Sequence, residues 1–272
     1  MARSDGLDAY IPRMGDIHGA FHNVDAYVFE AISESQVESG ATGDILEIGA
    51  YLGRSAIVLG YLLGENETLH ICEPFPNPSA AHPDFLPETI DWYETYTQEI
   101  FEENYLRFHD ELPEIYAHTS FELPGKLAPK SFRFVHLDGS HNAEALESDI
   151  SLTKDILIDR GVISFSVYRN MSTLEVAAAV WGEVAESSLF PICATESHLY
   201  ASVTPYSSAE TADLHARLQS TPRMNVVPSE FRGVEVALMQ PVPSAKLKSY
   251  VPPVLLPLAR RARSWVRTIR TD

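Results

Sequence analysis

Residues 44–55 read Asp-Ile-Leu-Glu-Ile-Gly-Ala-Tyr-Leu-Gly-Arg-Ser. A short apolar run climbs to Gly49, and a second glycine, Gly53, opens the stretch Arg54-Ser-Ala-Ile-Val-Leu-Gly-Tyr-Leu. An apolar run without clean polar alternation predicts a strand buried on both faces. The stretch at 55–63 reads as a helix, and 68–72 as the next strand. Together they make a β-loop-α-β unit, whose connection is expected to be right-handed. Glycine suits the turn between strand and helix, because it permits positive φ and lets backbone approach a ligand closely.

Working outward, a helix is expected over 23–37. A long loop with Pro74, Pro76, Pro78, Pro83 and Pro87 follows the second strand. A helix is then expected over 91–108 and a weak strand over 115–118. Clearer strands fall at 132–138 and 161–168, with a helix over 143–157 between them. A helix over 174–186, a strand over 198–203, a helix over 209–218 and a last strand over 234–239 complete the reading. Alternating strands and helices imply an α/β fold, Rossmann-like, with a mostly parallel sheet covered on both faces and an antiparallel edge. We expect an N-terminal helical cap over 1–40, a ligand-binding domain over 41–243 and a basic amphipathic tail over 244–272.

The chain has 272 residues, of which 45% are hydrophobic, enough for a packed core. No apolar run reaches the ~18 residues of a membrane span, and no signal-peptide core opens the chain, so a cytoplasmic protein is expected. The two cysteines, Cys72 and Cys193, make neither a disulfide framework nor a zinc cluster. Net charge is −18, yet residues 244–272 hold seven cations against Asp272. The body is therefore strongly acidic, which disfavours nucleic acid as a partner. In the tail, Leu255, Leu258, Ala262, Trp265 and Ile269 repeat at helical spacing, with arginines on the remaining circumference. Residues 253–270 fit peripheral membrane contact, or docking on the acidic body or on a second subunit of a homo-oligomer.

The glycine spacing Gly-x-x-x-Gly differs from the dinucleotide fingerprint and lacks the Lys-Ser/Thr of a phosphate loop. Glu47, two residues before Gly49, repels a pyrophosphate but suits a cationic amine. Glu73, at the end of the second strand, is placed to accept hydrogen bonds from ribose hydroxyls. An acid at each of two neighbouring strand ends fits a nucleoside that bears an amine, and disfavours an NAD-dependent oxidoreductase.

The stretch Leu46-Glu-Ile-Gly-Ala-Tyr-Leu-Gly-Arg-Ser resembles the first motif of class I S-adenosylmethionine-dependent methyltransferases. It is closest to the branch with macrolide-sugar and other small-molecule O-methyltransferases. Phe134-Val-His-Leu-Asp-Gly-Ser-His-Asn-Ala-Glu-Ala-Leu-Glu-Ser-Asp-Ile resembles that branch's fourth strand and following helix. The resemblance implies a seven-stranded sheet with S-adenosylmethionine over its C-terminal edge. It implies that Glu47 holds the methionine amino group and that Gly49, Ala50, Tyr51, Gly53 and Ser55 line the methionine and ribose. Glu73 would bind the ribose, Ser120 would lie near the adenine, and Asp138 and Gly139 would border the donor.

His141 is the candidate general base, with Asp138 orienting it or the acceptor; imidazole is largely neutral at cytosolic pH. The plain alternative is that His141 caps the following helix or hydrogen-bonds within the loop. Related enzymes often bind magnesium with this aspartate and an acidic pair after the fifth strand. Ser166 and Val167 stand there in this chain, so no metal ligands are assigned and catalytic magnesium is not expected. His136 is expected to point into the sheet, and His70, His109, His118 and His198 to be structural. The acceptor is expected to be a small molecule or oligosaccharide, a sugar or other polyhydroxylated compound. Catechols are not expected. A catalytically inactive cofactor-binding or regulatory module with the same fold is the alternative function. Aromatics and acids between Trp92 and Glu103 suit either an acceptor lid or an amphipathic helix with its aromatic side in the core. His18, in the N-terminal segment, has the reach to approach the donor.

Overall fold

The computed structural model describes residues 3–75, 97–139, 142–166, 168–169, 174–222 and 224–241. It divides into two units, Met1–Gln240 and Pro241–Asp272. Residues 76–96, part of the stretch 75–108 that suits either an acceptor lid or an amphipathic helix, and the amphipathic tail over 253–270 lie outside the described residues.

Four apolar residues of the deciding stretch are buried in β1 (Asp44–Ile48) or directly behind it. β2 (Leu69–Cys72) pairs parallel to one side of β1, and β3 (Glu114–Tyr116) pairs parallel beyond it. β4 (Phe132–Leu137) pairs parallel on the other side, followed by β5 (Leu157–Phe165). β7 (Leu199–Ser202) then runs antiparallel to β5 and to β6 (Phe190–Ala194). β9 (Val234–Pro241) and β8 (Met224–Phe231) complete the order β3-β2-β1-β4-β5-β7-β6-β9-β8. Among the described residues the sheet has nine strands, rather than the seven implied by resemblance, because β8 and β9 extend the β6 edge.

Helices cover both faces. α1 (Arg3–Tyr10), α2 (Asn23–Glu38) and α3 (Arg54–Leu62) belong with one apolar cluster, which includes Phe29, Ile45, Ile57, Ile71 and Phe134. α5 (Ala143–Ile156) and α6 (Leu174–Ala185) belong with the other, which includes Leu46, Ile48, Val135 and Leu137. α3 buries Ile57, Val58, Leu59 and Leu62, each worth about 1.5–3 kcal/mol of transfer free energy. α4 (Gln98–Leu106) starts later than the expected 91, because Thr97 is extended at φ −131° and ψ 168°. It buries Phe101 and Tyr105 while Glu99 and Glu103 stay exposed, which is the amphipathic-core reading for this part of the segment. α7 (Ser208–Gln219) begins with a capping box between Ser207 and Glu210. Cys72 and Cys193 are buried free thiols. Among the described residues, no helix is long and apolar enough to cross a membrane.

A buried aspartate fastens α2 to the β6–β7 corner. Asp25 accepts hydrogen bonds from Thr195 Oγ1 (2.7 Å), Ser197 Oγ (2.6 Å) and Tyr200 Oη (2.9 Å), and lies 3.1 Å from His198 Nδ1. Burial pushes its carboxyl up, but the His198 ring and the two hydroxyls of Ser197 and Thr195 outweigh this and hold it at about 2, below the ordinary 3.8. A folded pKa below the unfolded one gives stability that is complete above pH ~4 and lost as pH falls towards ~2, on the order of 2 kcal/mol. Melting curves of Asp25→Asn should therefore show a flatter fall in Tm across that acid range than the parent chain. An identical acid limb in the two proteins contradicts this assignment.

Candidate active site at the strand ends

Parallel pairing sets Glu47 beside Ile71 of β2 and beside His136 of β4. The ladder continues past the strand ends, where Gly49 N–H donates to Cys72 O and Asp138 N–H donates to Ile48 O, both at 2.9 Å. Glu73 N–H donates to Tyr116 O at 3.1 Å. The carboxylates of Glu47, Glu73 and Asp138 are therefore carried to one edge by three adjacent strands.

The glycine loop serves the chain's own packing as well as any ligand. At Gly49 φ is +91°, and a β-carbon there would meet the Asp138 carbonyl at 2.5 Å. Gly49 is thus demanded by the close passage of the β4 end, a reason the sequence reading did not contain. Tyr51 takes positive φ (49°), and its N–H donates to Glu73 Oε2 at 2.9 Å, tying the loop to the second acid. Gly53, at φ 91° and ψ 13°, precedes the first turn of α3, and a β-carbon there would press on the Phe101 ring at 3.1 Å. Ala50 and Ser55 are buried beside it.

The N-terminal segment is locked onto this loop through a residue that sequence reasoning passed over. Arg54 Nε donates to Ile17 O (2.6 Å) and Nη1 to Phe21 O (3.3 Å), while Tyr10 Oη donates to Arg54 O (3.0 Å). His18 Nδ1 lies 3.3 Å from Tyr51 Oη, so the N-terminal segment does reach the glycine loop.

Glu47 is fully buried, and neither carboxyl oxygen has a hydrogen-bond partner of normal geometry. Burial raises its carboxyl well above the usual range; the nearby Ser55 side chain opposes the shift, and the charges of Asp138 and Glu73 add to it. A fully buried acid with only the Ser55 side chain to oppose its burial is costly unless something completes it. A cationic amine does so, because it supplies both donors and the opposite charge.

Asp138 follows β4, with its side chain 31% exposed and its Oδ2 3.9 Å from His136 Nε2. Gly139 packs against Ile48, where a β-carbon would lie 3.1 Å from Cγ2. His141 lies outside the described residues. The N-cap of α5 belongs to Asn142, whose Oδ1 accepts from Glu144 N (2.8 Å) and Ala145 N (3.3 Å).

Ser120 sits in the loop after β3, and its hydroxyl acts on Asp149 of α5; burial pushes that carboxyl up to about 6 while Ser120 pulls it down. The structure thus gives Ser120 a partner within the protein, in addition to its place in the loop after β3. Ser166 stands directly after β5, and Val167 lies outside the described residues. Among the described residues, no group of three His, Cys, Asp or Glu side chains is placed to hold a metal ion.

His70, His109 and His118 take the structural places expected of them: His70 lies 3.4 Å from Asp44, while His109 and His118 contact backbone carbonyls at 2.9 Å. His136 is different. It is fully buried between Glu47 and His198 and touches the edge of the site. The signal was present in Phe132-Arg-Phe-Val-His-Leu, since two polar side chains in a strand buried along its whole length need a reason.

A family model described as a methyltransferase domain matches residues 46–166, from β1 to the end of β5. The chain carries a methyltransferase domain. The match includes Glu47, Gly49, Glu73 and Asp138. S-adenosylmethionine is the donor such a domain uses, and the orphaned, buried Glu47 carboxyl fits its ammonium. The chain's fold is similar to that of the O-methyltransferase NovP, with a TM-score of 0.50 and 16% identity over 66% of this chain and 80% of that one. It is also similar to a protein from Corynebacterium glutamicum, with a TM-score of 0.50 and 9% identity over 76% of this chain and 91% of that one. Comparison with curated proteins finds no match.

Proposed function

We propose that this methyltransferase transfers a methyl group to a hydroxyl oxygen of a sugar or other polyhydroxylated small molecule. The observation that carries the reading is the convergence of Glu47, Glu73 and Asp138 at three adjacent strand ends, with Glu47 fully buried and lacking a hydrogen bond of normal geometry. Glu47 holds the donor's ammonium, Glu73 its ribose hydroxyls, and Gly49, Ala50, Tyr51, Gly53 and Ser55 line the path between them. Bound S-adenosylmethionine supplies an activated methyl carbon on a sulfonium sulfur.

The protein's share of the work is alignment and proton removal. An acceptor hydroxyl becomes a competent nucleophile when it is held in line and loses its proton as the new bond forms. His141 takes that proton, and Asp138 orients the hydroxyl or the imidazole. Support for oxygen as the accepting atom comes from the sequence motif at 134–150 and from the fold shared with NovP.

The test is methyl transfer from labelled S-adenosylmethionine to a panel of nucleotide sugars, free sugars, oligosaccharides and catechols. His141→Ala is expected to lose about 10²- to 10⁴-fold in turnover while S-adenosylhomocysteine binding is unchanged. Full turnover in that variant removes the assignment of His141. Donor binding with no turnover across the panel supports a cofactor-binding module instead.

A further inference from the structure

A line of buried polar groups leaves the donor site and crosses under the sheet. His136 Nε2 lies 3.8 Å from Glu47 Oε1 and 3.9 Å from Asp138 Oδ2. Behind it, the His198 ring stands 5.3 Å from the His136 ring, centroid to centroid, and His198 Nδ1 lies 3.1 Å from Asp25 Oδ1. Phe21 and Phe29 meet the His136 ring edge-on at 5.8 and 5.1 Å, so its plane is fixed by packing. Neither ring nitrogen of His136 has a hydrogen-bond partner of normal geometry, and the same holds for both oxygens of Glu47.

Two fully buried groups facing each other, with only the Ser55 side chain beside one and the Ser164 backbone beside the other, are expensive unless they complete each other or a ligand completes them. The gap between them exceeds a hydrogen bond by less than an ångström, and hydrogen bonds of active sites are often long before ligand binds. Burial, together with the neighbouring His198, keeps the His136 imidazole neutral, against the opposing pull of Asp25 and the Ser164 backbone. A neutral ring adds no positive charge to compete with an incoming ammonium.

We propose that His136 is a positioning residue for the amino-acid end of the methyl donor. A hydrogen shared between its Nε2 and Glu47 Oε1 fixes the carboxyl in the orientation that receives the ammonium, and the same ring edge holds Asp138 alongside. The inference rests on the reading of Glu47 as the ammonium's partner. His136 is a separate residue outside the glycine loop, and neither motif resemblance assigns it a role.

The test compares two ligands by calorimetry. S-adenosylhomocysteine carries the amino-acid end; 5′-methylthioadenosine has the same nucleoside and sulfur without it. His136→Phe is expected to weaken S-adenosylhomocysteine by about tenfold or more and to leave 5′-methylthioadenosine within about twofold. His136→Gln, which keeps a hydrogen-bonding group, recovers part of the loss and serves also if the Phe variant does not fold. Unchanged S-adenosylhomocysteine affinity in the folded variants overturns the proposal, as does equal weakening of both ligands. If the parent chain binds both ligands alike and Glu47→Gln changes neither, the Glu47 reading itself fails and this inference falls with it.

Discussion

Glu47→Gln is expected to weaken S-adenosylhomocysteine binding by about 30- to 150-fold, the loss of one charge-assisted contact worth about 2–3 kcal/mol. The substitution keeps the shape and the buried volume and removes only the charge. Its effect therefore isolates the electrostatic part of recognition. The sign of the pH dependence follows from the raised carboxyl, which burial and the charges of Asp138 and Glu73 hold above the usual carboxylate range in the free protein. An ammonium prefers the ionised form, so affinity rises with pH until Glu47 is ionised without ligand, and binding below that point releases a proton. Titrations in buffers of different ionisation enthalpy measure that release. The substituted amide cannot ionise, so the variant should show neither the slope nor the released proton from this group. Equal affinities for the two proteins would place the ammonium elsewhere.

Arg133→Met carries the largest expected loss of stability. Arg133 is fully buried and uses all five of its N–H groups. Nε and Nη2 make a two-pronged pair with Glu67, each at 2.9 Å. Nη1 reaches Ser33 Oγ and Gln36 Oε1, both at 3.1 Å, and Nη2 also reaches Leu62 O at 2.7 Å. One side chain thus joins β4 to α2, to the end of α3 and to the approach to β2. Removing it leaves the buried Glu67 charge without its cation, held only by the Gly43 and Gly64 N–H groups, at a cost of about 3–5 kcal/mol. For a chain of this size that corresponds to a fall in Tm of roughly 10 °C. The double substitution Arg133→Met with Glu67→Gln removes the stranded charge and should recover part of that fall. A single variant that melts with the parent would show that the pair contributes nothing.

Most of the frame that carries the site was legible because it rests on local patterns. Asp44–Ile48, Arg54–Leu62 and Ala143–Ile156 emerge within a residue or two of the expected bounds, since apolar runs and helical spacing declare themselves over short windows. β6 was not legible. It has five residues and contains Pro191, which the sheet accommodates by a register shift between Pro191 and Cys193. β8 also went unread, because it carries Pro228 and several exposed residues, as an edge strand permits.

The candidate site divides in the same way. Glu47, Glu73 and Asp138 could be placed at one edge from strand order alone. The need for glycine at 49 could not, because its crowding comes from Asp138 and Gly139, about ninety residues away in sequence. His136 is expected from the sequence only to point into the sheet: a polar side chain in a buried strand calls for a reason, but the strand alone does not say that a carboxylate supplies it. Only the pairing of Glu47 with His136 across β1 and β4 reveals it.

The most direct test of the account is calorimetric titration of the full chain with S-adenosylhomocysteine, with NAD titrated in parallel. The account predicts micromolar binding of S-adenosylhomocysteine and none of NAD. No heat of binding from S-adenosylhomocysteine, or tighter binding of NAD, would contradict the donor site and every role assigned around it.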